Sequence, residues 1–232
     1  MGEFLRRKEP EKDGERGTIL LKGCGNLLKT LYLLRHGETE WNDQWRLQGQ
    51  KDTPLSPKGI LQAEKAAKIL KNLGIDFIYC SDLNRAAKTS EIIAQEFKGQ
   101  VQVYRTEKLR EISFGDWEGK KYEEFSREEK EYYQRWLQDP VNCFIPGGES
   151  LEDVKKRVME FIASVLKKKE KNILLVSHGG PIKIMISQVL SMNLSHLSCL
   201  AVSPASLSLI QYYENQSYLV LFNDVCHLAD KK

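Results

Sequence analysis

The chain has 232 residues, of which 41% are hydrophobic and 29% charged, a balance suited to one globular domain or a crowded two. This excludes collagen-like, low-complexity and disulfide-knot chains, and no apolar run approaches the roughly 18 residues of a membrane span. Lys and Arg number 35 against 32 Asp and Glu, and a net charge of +3 is less than the basic surplus usual for a protein bound to nucleic-acid phosphates.

Cysteine usage is odd in number and scattered, with Cys24, Cys80, Cys143, Cys199 and Cys226 forming no C-x-x-C pair, which fits a reducing cytoplasm. Met1 to Lys22 is nearly half charged and has no apolar face to bury. It lacks the apolar core of a secretory signal. A disordered tail is expected over residues 1–28, followed by a single domain over residues 29–232.

From Leu31 onward the pattern alternates between strand and helix. Leu31–Leu34 is an apolar strand ending at Arg35-His36-Gly37. Ser56-Pro57 supplies an N-cap and a first-turn proline. The helix that follows carries Ile60, Ala63, Ala67 and Leu70 on one stripe and stops at Gly74. Phe77–Cys80 is a second strand, Asn84 to about Phe97 a helix, and Val101–Tyr104 a short strand. Thr106 to Gly119 shows no period and reads as a loop.

Tyr122 to about Leu137 predicts a polar, aromatic-bearing helix or helix pair closed by Asp139-Pro140. After the turn at Pro146-Gly147-Gly148, Ser150 and Asp153 fit a capping box, and Leu151, Val154, Val158, Phe161, Ile162 and Val165 form a buried stripe. Ile173–Val176 is apolar throughout, as a central strand covered on both faces would be. Pro181 opens a helix through Leu190, and Leu207–Tyr213 with Tyr218–Asn223 form a closing hairpin. The order predicts an α/β fold: a three-layer α/β/α domain with a mostly parallel central sheet flanked by helices.

Two of the four histidines share one context. His36 follows the first apolar strand and His178 follows Ile173–Val176, each beside glycine. Ligands of open α/β sheets bind outside the carboxyl ends of the strands. Arg35 adjoins His36, and Arg85 sits at a helix start just after the second strand. Arginine grips phosphate with a planar fork and helix N-termini favour anions, so this set suits a phosphoryl group. No Asp/Glu/His cluster has metal-ligand spacing, and neither a metal nor another cofactor is expected. His196 and His227 suit ordinary surface or loop roles, and Lys167-Lys168-Lys169 a solvated helix end. The aromatics Trp41, Trp45, Tyr122, Tyr132, Tyr133 and Trp136 divide between core packing and contact with a substrate.

Arg35-His36-Gly37-Glu38-Thr39 with Asn42, Ser81-Asp82-Leu83-Asn84-Arg85-Ala86, Leu109-Arg110-Glu111 and Ser177-His178-Gly179-Gly180 together resemble the histidine phosphatase superfamily, over about Leu31 to Leu228. The resemblance implies a phosphoglycerate mutase-like fold with a helical cap inserted at about residues 120–148. It implies that His36 is the nucleophile and that Arg35, Arg85 and His178 bind the phosphoryl oxygens, helped by Asn42 and the backbone at Gly179. Glu111, a loop carboxylate that nothing else singles out, would be the proton donor and then the base.

Family mutases carry a longer insertion between acid and second histidine and an extended C-terminal tail. Here Glu111 and His178 are 67 positions apart and the chain ends soon after Asn223, which favours hydrolysis. Phe144-Ile145-Pro146-Gly147-Gly148-Glu149-Ser150, Ser203 to Ser208 and Asn223 to Leu228 are similar to bacterial alpha-ribazole phosphatases of cobalamin biosynthesis. The expected partner is a small-molecule phosphate monoester, with no nucleic acid or membrane; homo-oligomerisation is left open. The alternatives are a broad-specificity histidine phosphatase, a phosphoglycerate mutase and, in another class, a binding module that has lost catalysis.

Overall fold

The computed structural model describes residues 26–229. Most of the expected tail, Cys24 included, lies outside the described residues. Its last positions do not belong to a tail, because strand β1 spans Leu27–Arg35. The polar letters that hid this strand start are accounted for by tertiary contacts. Lys29 is buried, and its ammonium donates to the carbonyls of Lys168 (2.8 Å) and Glu170 (2.5 Å).

The remaining elements, in chain order, are α1 (Glu40–Asp43), α2 (Pro57–Leu70), β2 (Phe77–Ser81), α3 (Asn84–Gln95), β3 (Gln102–Thr106), α4 (Arg127–Gln138), α5 (Leu151–Leu166), β4 (Asn172–Ser177), α6 (Gly179–Val189), β5 (Leu207–Tyr213) and β6 (Ser217–Asp224). The six strands form one sheet in the order β3-β2-β4-β1-β5-β6. The first three neighbouring pairs are parallel; β5 runs antiparallel to both β1 and β6. The sheet is therefore mixed but mostly parallel, as expected.

Strand periodicity builds the two cores. Leu31, Leu33, Ile173 and Leu175 face α5 and α6, whereas Tyr32, Leu34, Leu174 and Val176 face α2 and α3. This is why β1 and β4 are apolar at every central position. Each fully buried Leu or Ile contributes about 1.5–3 kcal/mol relative to exposure.

Three local expectations shift. Ile60 is 37% exposed, and the buried stripe of α2 is Gly59, Ala63, Ala66, Ala67 and Leu70. Gly59 is required there because a Cβ would collide with the Glu38 carbonyl, so the helix start packs backbone against backbone. Helix α6 begins at Gly179 with His178 as N-cap, two residues before the expected Pro181. Ser150 caps α5 through the Asp153 N–H, without the reciprocal half of a capping box.

The cap is a short turn at Tyr122–Glu124 followed by α4, which opens with a complete capping box at Ser126 and Glu129. Helix α4 has no fully buried residue. Aromatic edges fix it to the domain: the rings of Tyr132, Tyr133 and Trp136 lie 5.4–6.0 Å from that of Trp117, which is buried.

Candidate active site

Strands β1 and β4 are parallel neighbours with Arg35 opposite Ser177, so the next residues, His36 and His178, leave the sheet at the same level. The His36 N–H donates to the Ser177 carbonyl at 2.9 Å. The two imidazoles are buried, with ring centres 5.0 Å apart and planes tilted by 57°. Nδ1 of His36 lies 2.7 Å from the Gly37 carbonyl. A carbonyl only accepts, so Nδ1 carries the proton and the Nε2 lone pair is left for chemistry. Burial, reinforced by Arg85 and Arg35, holds His36 well below the usual histidine range. Burial holds His178 well below it too, with Arg85 and His36 adding to the effect. Both rings are neutral at neutral pH, as an imidazole that attacks phosphorus must be.

Arg85 is buried at the start of α3 and tethered by carbonyls, donating to Lys51 O at 2.8 Å and Gly49 O at 2.6 Å. Burial lowers its guanidinium to about 10, with Glu111 and Asp52 opposing, so it stays charged near pH 7. Arg35 donates to Val202 O at 2.6 Å. Nε of Arg35, Nε of Arg85 and both ring nitrogens of His178 are buried and have no partner among the described residues. Buried polar atoms are normally hydrogen-bonded. A cluster of such nitrogens beside two cations suits an anion with several acceptor oxygens.

The Glu111 carboxylate is held at the same place. Its Oε1 accepts from the N–H groups of Ile112 (2.9 Å) and Gly180 (3.0 Å), the latter in the first turn of α6. Sequence reasoning missed the groups that fix its backbone. Arg157 of α5 donates to the carbonyls of Lys108 (2.9 Å), Arg110 (2.8 Å) and Glu111 (2.9 Å). Its guanidinium is paired with Glu149, which also accepts from Ser113 N–H and from Gln50. Gln50 donates in turn to Glu111 O at 3.2 Å. Their one sequence signal was Glu149 in the Pro-Gly-Gly-Glu-Ser segment; Arg157 reads as any arginine on the polar side of a helix.

Gly180 leaves no room for a side chain, since a Cβ would collide with Oε1 of Glu111 and approach Ile112 Cγ1 to 2.7 Å. Gly180→Ala should therefore displace the carboxylate and lower kcat by about 100-fold, the scale of a misplacement near 1 Å. Steady-state kinetics beside a melting curve checks this: unchanged kcat in the folded variant would show that the Glu111 position is not critical.

Asn42 plays a capping part. Its Oδ1 accepts from the Thr39 N–H at 3.1 Å and closes a capping box on α1, the turn that follows His36. Only its NH₂ group remains for a ligand, and it does not border the cavity described next.

That cavity, of about 310 Å³, opens over Arg35, Glu111, Gly179 and Gly180. Tyr133, Trp136, Leu137 and Pro140 of the cap form one wall, and Leu197, Ser198 and Val202 line it too. Of the six aromatics expected to divide between core and substrate, Tyr133 and Trp136 border it. Trp45 is 86% exposed, and Tyr132 donates its hydroxyl to Phe144 O at 2.7 Å. Phe114 and Lys183 also line the cavity, and neither was singled out from the sequence. No group of three or more metal-ligating side chains occurs among the described residues, and no helix there is long and apolar enough to cross a membrane.

Comparison with known proteins agrees with this geometry. Phosphoserine phosphatase 1 of Hydrogenobacter thermophilus is 34% identical over 201 residues, covering 86% of this chain and 94% of that protein. The alpha-ribazole phosphatase structure from Shigella flexneri superposes with a TM-score of 0.76 at 30% identity, covering 84% of this chain and 96% of that one. A mutant phosphoserine phosphatase from Entamoeba histolytica, solved with phosphoserine, gives a TM-score of 0.77 at 32% identity and covers 87% of this chain and 100% of that one. The family model for branch 1 of the histidine phosphatases matches residues 31–225. With that match spanning the sheet, both histidines, both arginines and the cap, the chain belongs to the histidine phosphatase superfamily.

Proposed function

We propose that the protein hydrolyses small phosphate monoesters through a phosphohistidine on Nε2 of His36, without a metal. The observation that carries this is the fixed tautomer of a buried, neutral His36 beside unpartnered nitrogens of Arg35, Arg85 and His178. Nε2 attacks phosphorus as the ester oxygen leaves. Charge on the equatorial oxygens is met by the two guanidiniums and His178, with help from the Gly179 N–H and the Asn42 amide. Glu111 gives its proton to the leaving alkoxide, then takes one from the water that attacks the phosphohistidine.

Hydrolysis is favoured over mutation because the segment between Glu111 and His178 supplies one cap helix, α4, to keep water from the phosphoenzyme. The aromatic wall of Tyr133 and Trp136 suits a planar base, which supports alpha-ribazole 5′-phosphate as substrate and a cytoplasmic place in cobalamin biosynthesis. A second reading, a phosphorylated hydroxy acid such as phosphoserine, is favoured by the Lys183 ammonium in the same cavity.

A kcat/KM panel of alpha-ribazole 5′-phosphate, nucleotides, phosphoserine, phosphoglycerates and an aryl phosphate tests both levels. Turnover of monoesters is expected. Faster interconversion of phosphoglycerates than hydrolysis of any ester would overturn the hydrolase reading, and no turnover at all would favour a binding module.

A further inference from the structure

Lys183 lies on α6, five residues after His178, and borders the same cavity as Glu111 and Arg35. Its neighbours Ile182, Ile184, Met185 and Ile186 are all buried, so the lysine interrupts an apolar stretch of the helix at a position that borders the cavity. Three other half-buried cations of the fold are held in ion pairs: Arg157 with Glu149, Arg110 with Asp82 and Lys120 with Glu129. The Lys183 ammonium has no hydrogen bond or ion pair among the described residues, Glu111 included. Burial lowers its pKa, with Glu111 opposing and Arg35 adding to the lowering. An ammonium among Phe114, Trp136 and Leu197 carries a desolvation cost that a ligand anion would offset.

The two ends of a substrate are then distinguishable. Under the proposed mechanism the phosphoryl group lies against His36, His178, Arg35 and Arg85, and the ester oxygen meets Glu111. His36, His178 and Arg85 do not line the cavity, whereas Lys183 does, together with Glu111, Phe114, Trp136 and Leu197, so Lys183 borders the space left for the alcohol. We infer that Lys183 is a specificity-determining residue that reads a carboxylate on the alcohol half of the substrate, so that the preferred esters are phosphorylated hydroxy acids. This rests on the hydrolase reading and selects the second of its two substrate readings; alpha-ribazole 5′-phosphate carries no such carboxylate, and its preference over phosphoserine would count against the inference.

Matched pairs isolate the carboxylate. Phosphoserine against phosphoethanolamine, and 3-phosphoglycerate against glycerol 1-phosphate, differ in that group while keeping the ester. The wild-type enzyme should favour the acid of each pair by at least about tenfold in kcat/KM, the scale of one charge-assisted hydrogen bond. Lys183→Met should collapse that ratio towards one, and Lys183→Arg should keep most of it. Because only the ratio is read, a shared change in Glu111 behaviour or folding cancels. A wild-type enzyme that hydrolyses both members equally, or a ratio unmoved by Lys183→Met, overturns the inference while leaving the hydrolase reading intact. Failure to hydrolyse any monoester overturns the hydrolase reading itself.

Discussion

His36→Ala is expected to lower turnover of an aryl phosphate by at least about 10³-fold, the scale seen when an enzyme loses its nucleophile. No neighbouring group can replace it. His178 is 5.0 Å away, ring centre to ring centre, and leaves the sheet from a different strand, so its nitrogens do not occupy the Nε2 position. Rapid-quench experiments with labelled substrate should find an acid-labile phosphoenzyme in the wild type and none in the variant. Chelation by EDTA should leave the wild-type rate unchanged. Full activity in the variant, or abolition of wild-type activity by EDTA, would sink the mechanism.

Under the proposed mechanism the same residue should set the acid side of the pH profile. Protonated His36 cannot attack, and burial with two adjacent guanidiniums holds its pKa well below the usual value near 6.5. The sign is that a depressed pKa extends the neutral, active form to lower pH. The low-pH limb of kcat/KM, which reports the free enzyme, should therefore fall below the ordinary histidine range. A limb at pH 6.5 or above would contradict the burial of the ring.

Glu111→Gln should slow alkyl phosphates by about 10²- to 10⁴-fold, the range of general acid–base catalysis, and aryl phosphates much less. An alkoxide leaves only if protonated, whereas a nitrophenolate leaves unaided. Glutamine preserves an oxygen for the Ile112 and Gly180 N–H groups, so the loop should stay in place. Equal slowing of alkyl and aryl substrates would assign the proton to another group.

How much of this was legible in the sequence varies by residue. His36 and His178 were readable because each follows an apolar strand and precedes glycine, and strand ends are marked by short-range pattern. Arg85 was readable for a similar reason, at a helix start after a strand. Glu111 was not: a loop carboxylate looks the same whether it meets solvent or a helix N-terminus, and only family resemblance drew attention to it. Ile60 was misassigned because the periodicity of α2 is carried by alanine and glycine, whose small side chains give a weak hydrophobic signal.

The sequence by itself determined the alternation of strand and helix, the burial of β1 and β4 on both faces, and the placing of two histidines at strand ends. These follow from chain-local rules: side-chain alternation along a strand and the capping preferences of a helix. Tertiary structure alone decided that β4 pairs with β1 so that the imidazoles lie 5.0 Å apart, and that Arg157, Glu149 and Gln50 converge on the Glu111 loop. It also decided that Lys183 faces a cavity. Strand order and the meeting of polar side chains join residues far apart in the chain, 142 positions for Arg35 and Ser177, and depend on which faces pack together rather than on any window of the sequence.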